Sequence, residues 1–431
     1  MPDNLLTNFQ AAYQNLSFLP LLKKQELDRF GVKYGTTVIE ELQQLVEDSR
    51  EQNSKVILAG HRGCGKSTLL AEFKRELDDR YFVAFFSISD LIEMSDINHI
   101  NILFAIAVNL MDEAEAQSVK IKSSTKQQFY DWFAEHTRTN IDEFKAEIET
   151  GFNFNAFLVW IKGVLKTNAT IRDEIKVKFE RRISDLVNNI NQIAATIQAQ
   201  SGKPILVIID DIDKIDIALA KDIFQAHIKA LFQPSFNIVM TIPIAALREV
   251  SLIATLQTET NDQIVQMPVS KLYQKGARNL PDAQPKPEVK AMLAKIISRR
   301  VTRDLYTAEA LDLIILDSGG VLRELIRITN QCCRICLRLI RREPDNPDIK
   351  IDRQIVEQAI NKLSLDFDSR IGVQDYEILQ TTYEQFKPND PKQQRFLDLL
   401  HGLYVLEYRN SELWYDVHPI VIKLLKQKGM I

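Results

Sequence analysis

Charge of one sign, cysteine and long apolar runs are all scarce in this chain. Its 54 Lys and Arg stand against 58 Asp and Glu, a net charge of −4 over 431 residues. So even a balance gives no overall pull toward nucleic acid or anionic lipid. Only 4 cysteines occur. Cys64 lies in a glycine-rich loop, while Cys332, Cys333 and Cys336 continue the apolar stripe of one helix. A metal site would need a fourth ligand and usually a second cluster, and the sequence offers neither. Buried thiols in a reducing compartment are the reading that remains. No apolar run reaches membrane-spanning length; Phe157-Leu158-Val159-Trp160-Ile161 stops at Lys162. The first residues lack the basic and apolar regions of a signal peptide. The expectation is a soluble, cytoplasmic protein with no membrane partner. A hydrophobic content of 45% is ample for packed cores, and the length predicts about two to four domains.

What is present is concentrated at residues 60–67, Gly60-His61-Arg62-Gly63-Cys64-Gly65-Lys66-Ser67. This is GxxxxGK[ST] with no mismatch, the phosphate-binding P-loop. Lys55-Val56-Ile57-Leu58-Ala59 before it reads as a strand, and Thr68 to Lys74 after it has helical spacing. Gly60, Gly63 and Gly65 let the backbone curl so that successive N–H groups face phosphate oxygens. The following helix sets the positive end of its dipole behind them. Lys66 would reach the β- and γ-phosphates of a nucleotide, and the Ser67 hydroxyl would ligate Mg²⁺.

The matching half of such a site is a strand ending in acids. Pro204-Ile205-Leu206-Val207-Ile208-Ile209 is continuous β-former, suited to a strand buried on both faces. It ends in Asp210-Asp211-Ile212-Asp213-Lys214. Asp210 is assigned to Mg²⁺, held through water, and Asp211 to orienting or activating the attacking water. Asp213 is a candidate helix cap. Two more strands are predicted at 236–242 and 263–267, and one at 81–88. With helices between them, five strands make a parallel, three-layer α/β/α sheet. Thr241, at a strand tip, either senses the γ-phosphate or is an ordinary strand-end threonine.

Around this core the chain divides into segments. Residues 1–50 read as helical, interrupted once at Gly31 and Gly35. The ATPase core is expected over 51–275, with a large helical insertion at about 97–200. In that insertion Phe179, Ile183, Leu186, Ile190, Ile193 and Ile197 recur at steps of four and three. They predict one helix, packed inside its own domain or serving as an arm for a protein partner. A helical lid is expected at 285–365. Its long helix, opening after Gly319-Gly320, puts Arg323, Arg327, Arg334, Arg338 and Arg341 on one face. That stripe is either solvated or a seat for phosphate backbones. Residues 375–431 have the helix, strand, turn, strand, helix pattern of a winged helix. From Asp375 to Ile431 there are 7 Lys and Arg against 8 Asp and Glu, so attraction to DNA is not built into the wing.

The order of these segments resembles the AAA+-related STAND branch of P-loop ATPases over about residues 30–431. Within it, Gly-His-Arg-Gly-Cys-Gly-Lys-Ser-Thr, ending at Thr68, and Ile-Asp-Asp-Ile-Asp-Lys are similar to bacterial, often cyanobacterial, AAA/STAND ATPases. The resemblance implies a sheet of order 5-1-4-3-2. It implies that Arg323, in Gly-Gly-x-x-Arg, contacts the γ-phosphate from the lid. It implies that His418 of the winged helix touches the ADP β-phosphate in a closed state. Asp211 stands where many AAA+ motors have Glu, which suggests slow turnover. The expected function is a Mg²⁺-dependent, ATP-binding and ATP-hydrolysing switch that self-associates with ATP. Two rivals remain at this point: a DNA-handling AAA+ ATPase of initiator or transposition-regulator type, and a non-catalytic nucleotide-binding scaffold.

Overall fold

Runs of Val, Ile and Leu that are apolar at every position suit strands covered on both faces. Runs largely of this kind form most of the five strands that pair in the computed structural model, which describes residues 2–136, 154–280, 282–409 and 412–431. The strands are β1 (Lys55–Gly60), β2 (Phe82–Ser87), β3 (Ile205–Asp210), β4 (Asn237–Pro243) and β5 (Ile264–Met267). The sheet is parallel, in the order β2-β3-β4-β1-β5, as the resemblance implied. The register sets Ser87 at the end of β2 opposite Asp210 at the end of β3. Every residue of β1, β3 and β4 is buried. The fold is the α/β fold of P-loop NTPases.

The chain forms two compact units. One holds Met1–Thr36, Gly60–Ala71 and Met267–Ile431; the other holds Thr37–Ala59 and Glu72–Gln266. The second unit contains most of the sheet and the helical insertion. At the centre of the insertion is the helix His99–Ala116, buried nearly all round and capped by Asn98, whose side chain accepts from the N–H groups of Ile100 and Asn101. The predicted single helix through Phe179 and Ile197 is in fact two, Ala169–Glu180 and Ile183–Ser201. Arg182, at φ −135°, breaks it. Both pieces pack on His99–Ala116, so the apolar phase persists across the break. Leu186, Ile190 and Ile197 are fully buried there, so the seam is taken up inside its own unit. Residues 137–153 of the predicted insertion lie outside the described residues.

The first unit carries the N-terminal helix Pro2–Asn15, the helices of the segment predicted as a lid, and the C-terminal segment. The N-terminal region breaks twice rather than once, since 16–23 is also non-helical. Pro20 lies in that stretch and cannot continue a helix interior. The long lid helix runs Leu322–Arg342. The C-terminal segment has helices Val373–Gln385 and Gln394–His401, the antiparallel hairpin β6 (Val405–Arg409) and β7 (Leu413–Val417), and the helix Pro419–Gln427. The helix, strand, strand, helix order is the one predicted from the sequence; residues 410–411 of the predicted turn lie outside the described residues. Cys64, Cys332, Cys333 and Cys336 are all free and buried. Among the described residues no helix is long and apolar enough to cross a membrane.

Candidate functional site: a phosphate loop and an acid cluster

In the first unit, the loop after β1 adopts the backbone that its glycines allow. Gly63 has φ +78° and Gly65 φ +102°. A Cβ on Gly63 would lie 2.6 Å from Cβ of Arg323, and one on Gly65 would lie 2.4 Å from Oη of Tyr34. Neither position accepts a side chain, for reasons of both backbone strain and space. The helix Lys66–Leu77 begins directly after them. The Lys66 ammonium is buried and donates to the carbonyls of Gly60 (2.9 Å) and His61 (2.8 Å). Left-handed glycines leading into a helix N-terminus fit a phosphate group.

Segments far away in sequence hold this loop. The Arg323 N–H, in the first turn of the long lid helix, donates to the Gly63 carbonyl at 2.9 Å. Tyr34 Oη donates to the Gly65 carbonyl at 2.6 Å. The Leu21 N–H, in the unpredicted N-terminal break, donates to Thr68 Oγ1 at 3.0 Å. From the wing, the Glu407 N–H donates to Nε2 of the buried His61 at 2.8 Å. Arg62 and Ser67 are half-buried, and the Arg323 side chain is exposed. Sequence reasoning found His61, Gly63, Gly65 and Arg323 but missed Tyr34, Leu21 and Glu407. These act through an isolated hydroxyl and two backbone groups, which leave no pattern in the sequence.

His418 sits at the start of the last wing helix, fully buried, with its ring stacked 5.4 Å from that of Phe367. Its Nδ1 accepts from the Ile420 N–H at 3.3 Å. Burial, and secondarily the Arg327 charge, push its pKa down to about 3, so the ring is neutral. With Nδ1 accepting, the proton is on Nε2, and that atom has no hydrogen-bond partner among the described residues.

The second unit holds the acids. Asp211 is in the left-handed region, φ 69°, unusual for a residue with a side chain. Its carboxylate is clamped: Ser87 Oγ (2.6 Å) and Ser89 Oγ (2.8 Å) donate to Oδ2, and Lys214 lies 2.7 Å from Oδ1. Burial works to raise its pKa, but the hydrogen bond from Lys214, that from Ser87, the Lys214 charge and the Ser89 bond together hold it below the usual range. Asp210 and Asp213 are buried beside it. Asp210, Asp211 and Asp213 each offer one oxygen within 4.8 Å of the others, a donor set that fits a divalent cation. Thr241 is fully buried and its Oγ1 accepts from the Ile212 N–H at 3.1 Å, so it anchors the turn that carries the acids. Ser87 and Ser89 escaped the sequence reading as partners of the acids, although the strand that ends at Ser87 was identified.

The arginine face of the lid helix is not one stripe. Arg323 lies against Gly63. Arg327 pairs with Glu324 (3.3 Å) and Asp366 (2.6 Å). Only Arg334, Arg338 and Arg341 are left as a continuous exposed set.

Residues 36–226 match the family model of the AAA ATPase domain. No curated protein matches the chain. Among solved structures, the chain is similar to Cdc6p of Pyrobaculum aerophilum, with TM-score 0.42, 11% identity, and 96% of this chain and 98% of that one covered. It is similar to the Orc1 protein of Aeropyrum pernix, solved in complex with DNA, with TM-score 0.41, 12% identity and 96% of each chain covered. For a RuvB mutant of Thermotoga maritima the values are 0.35, 16%, 93% and 97%. At these TM-scores and identities none of the three carries an argument about function. The family match spans residues 36–226, and the glycine loop inside it has a backbone that fits a phosphate group.

Proposed function

We propose that this chain is a Mg²⁺-dependent ATPase of the STAND type, a switch of conformation and assembly set by the nucleotide it holds. The observation that carries this reading is the set of bonds on the phosphate loop. Gly63 is tied to the start of the lid helix and His61 to the wing hairpin. A loop that must adjust to phosphate therefore bears directly on both segments. The ligand makes a differential contact with two conformations, as a switch requires.

In this reading the N–H groups of the loop bind the phosphates, and Lys66 leaves its two carbonyls for the β- and γ-phosphates. Ser67 would offer a hydroxyl to Mg²⁺ and Asp210 a carboxylate; when bound, the ion would neutralise phosphate charge. Water adds at the γ-phosphorus as the bond to the β-bridging oxygen breaks, leaving ADP and phosphate. Asp211 orients that water. About four acceptor sites exist on a carboxylate, and Ser87, Ser89 and Lys214 engage three of them. A clamped carboxylate of low pKa is a weak base, which agrees with slow turnover. Arg323 reads the γ-phosphate from the lid, and Thr241 supports the acids from the tip of β4. His418, with its proton on Nε2, is the donor that would meet an ADP phosphate. ATP favours an open, self-associating form in the cytoplasm, and hydrolysis resets it.

The test is the light-scattering mass of the protein with ADP and then with a non-hydrolysable ATP analogue and Mg²⁺. A defined oligomer only with the analogue is expected. An unchanged mass alongside steady hydrolysis would remove the assembly switch. Tight ATP binding with neither hydrolysis nor mass change would reduce the chain to a nucleotide-binding scaffold.

A further inference from the structure

The long lid helix carries three guanidiniums that the nucleotide reading leaves unused. Arg334, Arg338 and Arg341 stand at i, i+4 and i+7 and are exposed. With Gln10, Tyr13 and Gln14 of the N-terminal helix they line a concave groove of about 540 Å³. That helix buries Phe9 and Ala12, which turns Gln10, Tyr13 and Gln14 to the neighbouring face. The wall is anchored: Asn330 Nδ2 donates to the Leu16 carbonyl at 3.2 Å, and Asn15 Nδ2 donates to the Arg300 carbonyl at 3.1 Å.

Two ordinary accounts of these arginines fail. Cations near a helix C-terminus are favoured by its dipole, but that effect fades beyond the last turn. Arg341 lies in the last turn of the helix and Arg334 does not. Ion pairing fails as well. Among the described residues no acid lines the groove, and none of the three arginines has an ion-pair partner. Like charges at these spacings repel, so an anion is what the face lacks.

Tyr13 narrows the class of anion. Its ring is 40% exposed beside the charges, with one amide before it in sequence, at position 10, and one after it, at position 14. An acidic peptide would use the guanidiniums and leave the ring idle. Duplex DNA would do the same, because its bases are stacked away. Single-stranded nucleic acid uses all three chemistries: phosphates on arginine, a base face on the aromatic ring, and base edges on the amides. We propose that this groove binds a short stretch of single-stranded nucleic acid, with phosphates on Arg334, Arg338 and Arg341 and one base against Tyr13. This does not rest on the ATPase reading, and it places the attraction locally in a chain whose net charge is −4.

The test uses the full chain saturated with ADP, so that the nucleotide loop does not compete. Fluorescence anisotropy follows a labelled oligothymidylate of about 12 nucleotides across a salt series. Three phosphate contacts predict a log–log salt slope of about −2. Joint replacement Arg334→Glu and Arg338→Glu is expected to weaken binding tenfold or more, while Arg334→Lys with Arg338→Lys keeps the slope. Tyr13→Ala is expected to weaken binding about fivefold or more with the slope unchanged. All three positions are exposed, and thermal melts of the variants should match the parent's. The proposal is overturned if the parent does not bind at low salt, or if the double Glu variant binds like the parent. It is also overturned if polyglutamate displaces the oligonucleotide as well as unlabelled oligothymidylate does, or if a duplex binds as tightly and Tyr13→Ala is silent.

Discussion

The phosphate loop and the acid cluster are secured in opposite ways. The loop is held by partners remote in sequence: Tyr34, the Arg323 N–H, and the Glu407 N–H, which lies 346 positions from His61. The acids are held by their own strand ends and the turn between them, through Ser87, Ser89, Lys214 and Thr241. Phosphate contact is thus exposed to whatever moves lid and wing, while the acids keep a fixed geometry. In a switch the first half would carry the signal and the second would set the rate.

The harshest way to break this contrast is to remove the loop's charge. Lys66→Ala is expected to lower phosphate release about 10²–10³-fold, with a melting temperature near the parent's. A rate equal to the parent's would end the ATPase assignment.

The next effect belongs to the wing. The ordinary pKa of His418 is 6.5 and its folded value about 3. The folded value is depressed, so above pH 6.5 both states are neutral and the contribution to stability is complete. As pH falls from 6.5 toward 3 the unfolded chain takes up a proton that the folded chain refuses. Stability is lost progressively, by a few kcal/mol in all. His418→Gln should flatten this loss in urea midpoints compared at pH 7 and pH 5. Parallel pH profiles in parent and variant would show that the ring is not buried neutral.

His61→Ala isolates the bond between loop and wing. It leaves the Glu407 N–H buried without its acceptor, a cost of about 1–3 kcal/mol. A lower melting temperature and a larger assembled fraction with ADP are expected. A drop in melting temperature with no change in assembly would make the bond a structural one only.

Ser87→Ala probes the acid half and should have the smallest effect. Freeing one lone pair of Asp211 is expected to raise its pKa toward the ordinary range and to speed hydrolysis modestly, read from the pH–rate profile. A slower enzyme would instead show that the serine clamp positions Asp211 for its task.

Much of this was legible in the sequence because it depends on local composition. Runs such as Leu206-Val207-Ile208-Ile209 are short, mostly β-branched and bounded by turn residues, which suits a strand covered on both faces, so the strands were located to within a residue or two. Gly63 and Gly65 were legible because only glycine tolerates that backbone. The failures share one cause. The seam through Phe179 and Ile197 read as one helix because apolar phase reports the surface packed against, and two helices on the same neighbour keep that phase across a break. The arginine stripe read as uniform because helical spacing assigns a face but not its neighbours. Only contacts with Gly63, Glu324 and Asp366 divide it.

The sequence by itself determined the candidate nucleotide site: a loop with three glycines, Lys66 and Ser67 after one strand, and acids after another. Side-chain type and short spacing suffice for that, since phosphate and metal recognition is built from neighbours in the chain. Tertiary structure alone decided what governs that chemistry. It set Lys66 on its own loop carbonyls, closed Ser87, Ser89 and Lys214 around Asp211, and brought the backbones of Arg323 and Glu407 to the loop. Backbone N–H groups are the same in every residue but proline, so no sequence pattern can say which of them a fold will deliver.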